Sequence, residues 1–226
     1  MRRSLSLVFF LLFSVLVTAQ DQSKVDSLAA DLDSRPIGDN PSIWTLHHLC
    51  RAAQWVDLPL AKKYARQSVE ESMALNYPAG MASGYQLLGS SSDYMDQLDS
   101  TLFYYQKATA IYEENDQDYL MGIIYFTTAN VHYKRGVYDS SRYYLSLADE
   151  RFQDPELLSQ RSGVNEFLAM LDRENGDYET AIVFATKANE LAREANDQAR
   201  IITSEMEVAF ANVALGRHEE ALKSHQ

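Results

Sequence analysis

Small side chains recur along this chain at a fixed step of forty residues, and that step constrains its architecture more than any other feature. Gly89, Ala129, Ala169 and Ala209 fall under one another. The same step aligns Ala61, Thr101, Ser141, Ala181 and Ala221, and again Ser68, Ala108, Ala148 and Ala188. Gly136, Gly176 and Gly216 form a further rank, flanked by Leu58, Leu98, Tyr138 and Tyr178. A period of this size signals one supersecondary unit used several times, each copy burying its apolar face against the next.

Inside one period the pattern is helical. Val164, Phe167, Leu168 and Leu171 make an i, i+3, i+4, i+7 stripe, Asn175-Gly176-Asp177 interrupts it, and Tyr178, Ala181, Ile182, Ala185 and Ala188 begin a second stripe. Glycine at that interruption suits a helix C-terminus. Asp139, Asp177, Glu179, Glu219 and Glu220 sit where the next helices begin, which the helix dipole favours. No segment alternates with period two, so the expected class is all-α, built from antiparallel helix pairs.

The order of small residue, Gly-x-Tyr-x-x-small and small again resembles the tetratricopeptide repeat (TPR). It reads Ala129, Gly136-Val137-Tyr138, Ser141 and Ala148, then Ala169, Gly176-Asp177-Tyr178, Ala181 and Ala188, then Ala209, Gly216-Arg217-His218 and Ala221. Weaker copies run through Gly89, Leu98, Thr101 and Ala108, and through Leu49, Leu58, Ala61 and Ser68. The resemblance implies a right-handed superhelical solenoid of about five repeats, over residues 43–78, 79–117, 118–156, 157–197 and 198–226. The period is longer than the usual 34. The large aromatic early in the first helix is reduced to Tyr85 and Tyr125, with Thr45, Asn165 and Glu205 in the other copies. The last copy stops within its second helix and is incomplete, as in a part of a longer array.

Residues 1–19 read as a secretory signal. Arg2 and Arg3 precede an apolar run from Leu5 to Val17, with Val17 and Ala19 at the small-residue positions before a cleavage at Gln20. Residues 20–42 then form an N-terminal helix and linker. Export to the periplasm or beyond follows, with no membrane span expected in the mature chain. The net charge of −12 becomes −14 without Arg2 and Arg3. Nucleic acid and anionic lipid are therefore poor partners.

His47 and Cys50 lie one helical turn apart, beside His48, but a zinc site wants three or four ligands and a thiol nucleophile wants an orienting group. Both read as packing residues. Glu70-Glu71, Glu113-Glu114, Glu219-Glu220 and Asp116-Gln117-Asp118 read as solvated faces and caps. No cofactor, metal or catalytic motif emerges, and the chain is expected not to be an enzyme.

The resemblance implies a concave groove lined by the first helices. Its family positions map onto Leu46, Cys50 and Ala53; Gln86, Ser90 and Asp93; Phe126, Asn130 and Tyr133; Glu166, Met170 and Arg173; and Met206, Phe210 and Val213. The candidate binding residues are Phe126, Asn130, Tyr133, Met170, Arg173, Met206 and Phe210. Aromatics, Met and Arg are favoured in binding hot spots. Only Asn130 matches the Lys and Asn set with which the family's chaperone-tail binders hold a peptide carboxylate. The expected function is a binding scaffold for a basic or neutral peptide or protein. The alternative is the extracytoplasmic sensor of a membrane signalling protein such as a histidine kinase or transcriptional regulator.

Overall fold

The computed structural model describes residues 22–34 and 40–223. The expected leader at 1–19 and the end of the last repeat at 224–226 lie outside them. Two compact units divide the chain between Asp116 and Gln117. Unit 1 holds α1 (residues 22–33), α2 (Asn40–Ala53), α3 (Leu58–Ala74), α4 (Pro78–Tyr94) and α5 (Leu98–Glu114). Unit 2 holds α6 (Asp118–Lys134), α7 (Tyr138–Arg151), a short 3-10 turn (Pro155–Leu157), α8 (Leu158–Glu174), α9 (Tyr178–Glu194), α10 (Gln198–Ala214) and α11 (His218–Lys223). Among the described residues there is no strand, and no helix is long and apolar enough to cross a membrane.

From Leu58 onward an α-helix begins every twenty residues. The forty-residue period is thus two equal steps of helix and turn. Asp57, Asp177 and Asp197 cap α3, α9 and α10, accepting the backbone N–H of Leu60, Thr180 and Arg200 at 3.0, 3.1 and 3.2 Å. The array's first helix starts at Asn40 rather than at Ile43, because Pro41 falls in its first turn, where a missing N–H is harmless.

The turns close through a left-handed residue. Gly136 donates to the Tyr133 carbonyl at 2.8 Å while Val137 donates back to His132 at 2.9 Å, the paired bonds of a Schellman ending. Gly176 and Gly216 take the same positive φ, and Asn76, Asp96, Asp116 and Asn196 take it without glycine (φ 51–55°). Asn and Asp tolerate this region better than other L-residues. A Cβ at Gly176 would meet nothing within 4 Å, so substitution there carries a conformational cost alone. Urea denaturation should therefore show the smallest loss for Gly176→Asn, a larger one for Gly176→Ala and the largest for Gly176→Val, the last reaching about 1–2 kcal/mol.

The small residues lie between helices. Ala129, Ala169, Ala108, Ala148, Ala188, Thr101 and Ser141 are fully buried. In unit 1 the core joins Val25 of α1 to Leu49, Cys50, Ala61, Val69, Leu87 and Leu88, with Leu28 and Leu32 packed on it. In unit 2 it joins Ala129, Leu145, Ala148, Phe152, Val164, Phe167 and Leu171. Helix α7 is shorter than α6 and α8. Phe152 turns inward against Gly122, and Pro155, which has no N–H, starts the 3-10 turn that leads into α8.

Candidate functional site

In unit 2, the first helices of three successive pairs, α6, α8 and α10, border a cleft of about 390 Å³. Phe126 and Asn130 come from α6, Gly163, Glu166, Phe167 and Met170 from α8, and Arg200, Thr203 and Glu207 from α10. Phe126 and Phe167 meet edge to face with centroids 5.7 Å apart. With Met170 they give the cleft an apolar lining.

The charged groups of the cleft are already paired. Arg200 Nη1 donates to Glu166 Oε2 at 2.6 Å, and Thr203 Oγ1 donates to the other Glu166 oxygen at 2.6 Å. Arg173 Nε donates to Glu207 Oε2 at 2.8 Å. Two ion pairs of opposite direction thus tie α8 to α10. The Arg200 guanidinium lies over Gly163, where a Cβ would come within 2.6–2.8 Å of it. The bare backbone at 163 leaves room for the guanidinium where it reaches Glu166.

Of the candidates read from sequence, Phe126, Asn130 and Met170 line this cleft. Arg173 and Phe210 line a second one of about 320 Å³, with Tyr178 and Ala214. Arg173 is held by Glu207, so its charge is not a free anchor for a ligand. Tyr133 packs against Tyr138 and Phe167 and donates its hydroxyl to Glu174 at 2.7 Å. That bond to a carboxylate is the main reason its pKa lies above the usual range. Met206 is exposed on α10.

In unit 1 the groove positions Leu46, Cys50 and Ala53 are fully buried, and Cys50 and Ala53 belong to the core cluster that Val25 of α1 joins. They cannot line a surface. The repeat positions do not single out Arg200, Thr203 and Glu207. The signal for the two charged ones is opposite charge 34 residues apart: Glu166 with Arg200, Arg173 with Glu207.

His47 and Cys50 are core groups. His47 Nε2 lies 2.7 Å from Ser68 Oγ, and Cys50 Sγ lies 3.7 Å from Ser91 Oγ. Burial pushes the His47 pKa down to about 4, helped by Arg51 and His48. Burial raises the Cys50 thiol to about 11. At neutral pH the pair is an uncharged imidazole and an un-ionised thiol, neither poised for nucleophilic chemistry. Among the described residues no three His, Cys, Asp or Glu side chains gather as a metal site.

No sequence-family profile and no curated protein matches the chain. Solved structures do. BtubC (BKLC) from P. vanneervenii superposes with a TM-score of 0.75 at 18% identity, over 92% of this chain and 86% of that one. A putative kinesin light chain from Podosopora anserina with nearly identical TPR-like repeats gives 0.66 at 16% identity, over 81% and 91%. At such identities the likeness is one of fold: the chain has a TPR-like helical repeat fold.

Proposed function

We propose that this chain is an exported binding scaffold that holds a basic or neutral peptide segment in the cleft between α6, α8 and α10. The observation that carries the reading is the cleft itself, an apolar lining of Phe126, Phe167 and Met170 beneath a charge-paired rim. A helical repeat offers a preformed surface to a partner, and the TPR-like fold is typical of protein-binding repeats.

The cleft accepts one medium-sized apolar side chain from an extended or helical ligand. Asn130, unlike the charged residues of the rim, has no partner among the hydrogen bonds of the described residues and is half-buried at the edge. It is the group left to orient a ligand's polar atoms. From Gln117 onward the chain holds 18 acidic and 11 basic residues, so the field around the cleft repels acidic segments and draws basic ones. The leader at 1–19 supports export. A scaffold and an extracytoplasmic sensor would both use this recognition face.

Selection from a displayed peptide library tests the reading. Enriched peptides should carry an apolar residue flanked by Lys or Arg. Phe126→Ala with Met170→Ala should weaken their binding at least tenfold, about 1.4 kcal/mol, with helicity by circular dichroism retained. Undiminished binding by the double variant overturns the assignment.

A further inference from the structure

Helix α2 is buried on every side but one. Between Ser42 and Ala53 only Trp44, His48 and Arg51 are exposed, and at 100° per residue they share an arc of roughly 60°. The turn after α2 keeps a helical course, with Gln54 donating to the Cys50 carbonyl at 3.0 Å, and it carries the stripe on to Trp55. Trp44 is 51% and Trp55 69% exposed. These are the chain's two tryptophans, and they stand roughly 16 Å apart along the helix axis. From α4, Tyr94 brings its exposed ring within 5.8 Å of Trp55, tilted by 60°.

The stripe is not a repeat face left bare. In the forty-residue register Ile124 and Val164 stand at the place of Trp44, and Val131 and Leu171 at that of Arg51, all four buried. Where α6 and α8 bury apolar groups, α2 exposes an indole and a guanidinium. Helix α1 already packs on the core of unit 1 through Val25, Leu28 and Leu32, and these groups add nothing to that core.

The charge on the stripe is open. Arg51 makes no hydrogen bond or ion pair among the described residues, whereas Arg173, Arg193 and Arg200 of unit 2 are each held by a glutamate. From Asn40 to Val56 the chain has no Asp or Glu. The carboxylates that reach α2 meet its buried residues: Glu71 accepts from Ser42 at 3.0 Å and Asp31 from Thr45 at 3.4 Å. Asp57, beyond Trp55, is engaged as the cap of α3. Asp93 and Asp96 flank Tyr94 and confine the positive field to the α2 side. Salt screens more distant charges beyond about 8 Å, so the acidity of the whole chain counts for little here.

We propose that this stripe docks an acidic helical segment of a partner protein, with a carboxylate on Arg51 and apolar residues against Trp44 and Trp55. A guanidinium takes a carboxylate through two parallel hydrogen bonds, and Trp, Tyr and Arg are the residues that dominate binding hot spots. A helix laid along α2 reaches from Trp44 to Trp55 in about three turns. Large exposed side chains offer roughly 100–150 Å² each. The five therefore give roughly 500–700 Å², and the contact in all roughly 1,000–1,400 Å², the size of a weak specific complex with a dissociation constant of roughly 1–100 µM. The proposal rests on unit 1 and is independent of the cleft.

A displayed peptide library, selected on the whole chain and again on its Arg51→Glu variant, tests it. The wild type should enrich helical peptides in which Asp or Glu stands about four residues from one apolar residue and about seven from another on its opposite side. Arg51→Glu should lose this family and Phe126→Ala with Met170→Ala should keep it, which separates the stripe from the cleft. A synthetic member without tryptophan should shift the tryptophan emission of the chain. Arg51→Glu and Trp55→Ala should each weaken its binding at least tenfold with circular dichroism unchanged. The same peptide with its acid replaced by Lys should prefer the Arg51→Glu chain to the wild type. An acidic family that never emerges, one that Arg51→Glu retains, one lost with the cleft variant, or an emission that moves with phosphatidylcholine vesicles and not with the peptide each overturns the proposal.

Discussion

Gly89→Leu should leave unit 1 without a cooperative unfolding transition, and Gly89→Ala alone should lower its stability by about 1–3 kcal/mol. A Cβ at position 89 would lie 2.4 Å from both Cδ1 and Cε1 of Tyr105, where carbon atoms normally rest about 3.5–4.0 Å apart. The ring cannot swing away easily. Tyr105 is buried, and its hydroxyl lies 3.4 Å from Ser90 Oγ. Alanine is worth about 1 kcal/mol more than glycine inside a helix, so propensity alone predicts stabilisation and the crossing predicts the reverse. The crossing wins because α4 and α5 would have to separate by about an ångström along their contact.

The check is urea denaturation followed by tryptophan fluorescence, which reports unit 1 selectively because Trp44 and Trp55 both lie there. Tyr105→Leu opens space at the same crossing. In its background Gly89→Ala should cost far less, with a coupling of about 0.5–3 kcal/mol. Simple additivity of the two changes would show that glycine at 89 answers to something other than the Tyr105 ring.

The same crossing shows why so much of the fold is legible in the sequence. Ranks of Gly, Ala, Ser and Thr at one spacing have a steric cause, and the structure puts Ala129, Ser141, Ala169 and Ala188 between helices, as that cause requires. The division of the period into two steps of twenty is less visible. Its markers change identity, with glycine closing the turns at 136, 176 and 216 but Asn or Asp closing those at 76, 96, 116 and 196. Both chemistries reach positive φ, so the conformation persists where the letter does not.

The candidate site is legible only in part, for a related reason. Family positions locate a face of a helix, whereas exposure on that face depends on what packs against it. Leu46, Cys50 and Ala53 carry the right positions, yet they are buried in unit 1, Cys50 and Ala53 in the core that α1 helps to close. Arg173 carries the right chemistry, yet Glu207 already holds it. Long-range pairs such as Glu166 with Arg200 depend on the register between neighbouring helices, to which a pattern within one helix is blind.

Acidification should destabilise unit 1 by about 3 kcal/mol more in the wild type than in His47→Gln. His47 titrates near 4 in the folded chain and near 6.5 when exposed. Each unit of difference is worth about 1.4 kcal/mol. The sign follows from proton binding: between these two values the unfolded chain takes up a proton on His47 that the folded chain refuses, so folding loses stability as pH falls. The contribution is fully present above about 6.5, declines through the interval and is lost below about 4. Glutamine keeps a hydrogen-bonding group toward Ser68 without titrating, so its profile should be flatter over that window. Cys50 acts at the other end. Its thiol ionises near 11 in the fold against 9.0 unfolded, so the unfolded chain gives up its proton first and stability should decline as pH rises above about 9. Cys50→Ala should remove that limb. Trp44, whose ring lies edge-on to His47 at 5.3 Å, gives a local fluorescence readout of both limbs. Parallel acid profiles for wild type and His47→Gln would mean that the imidazole accepts its proton without leaving the core, and the assignment of His47 as a neutral packing group would fall.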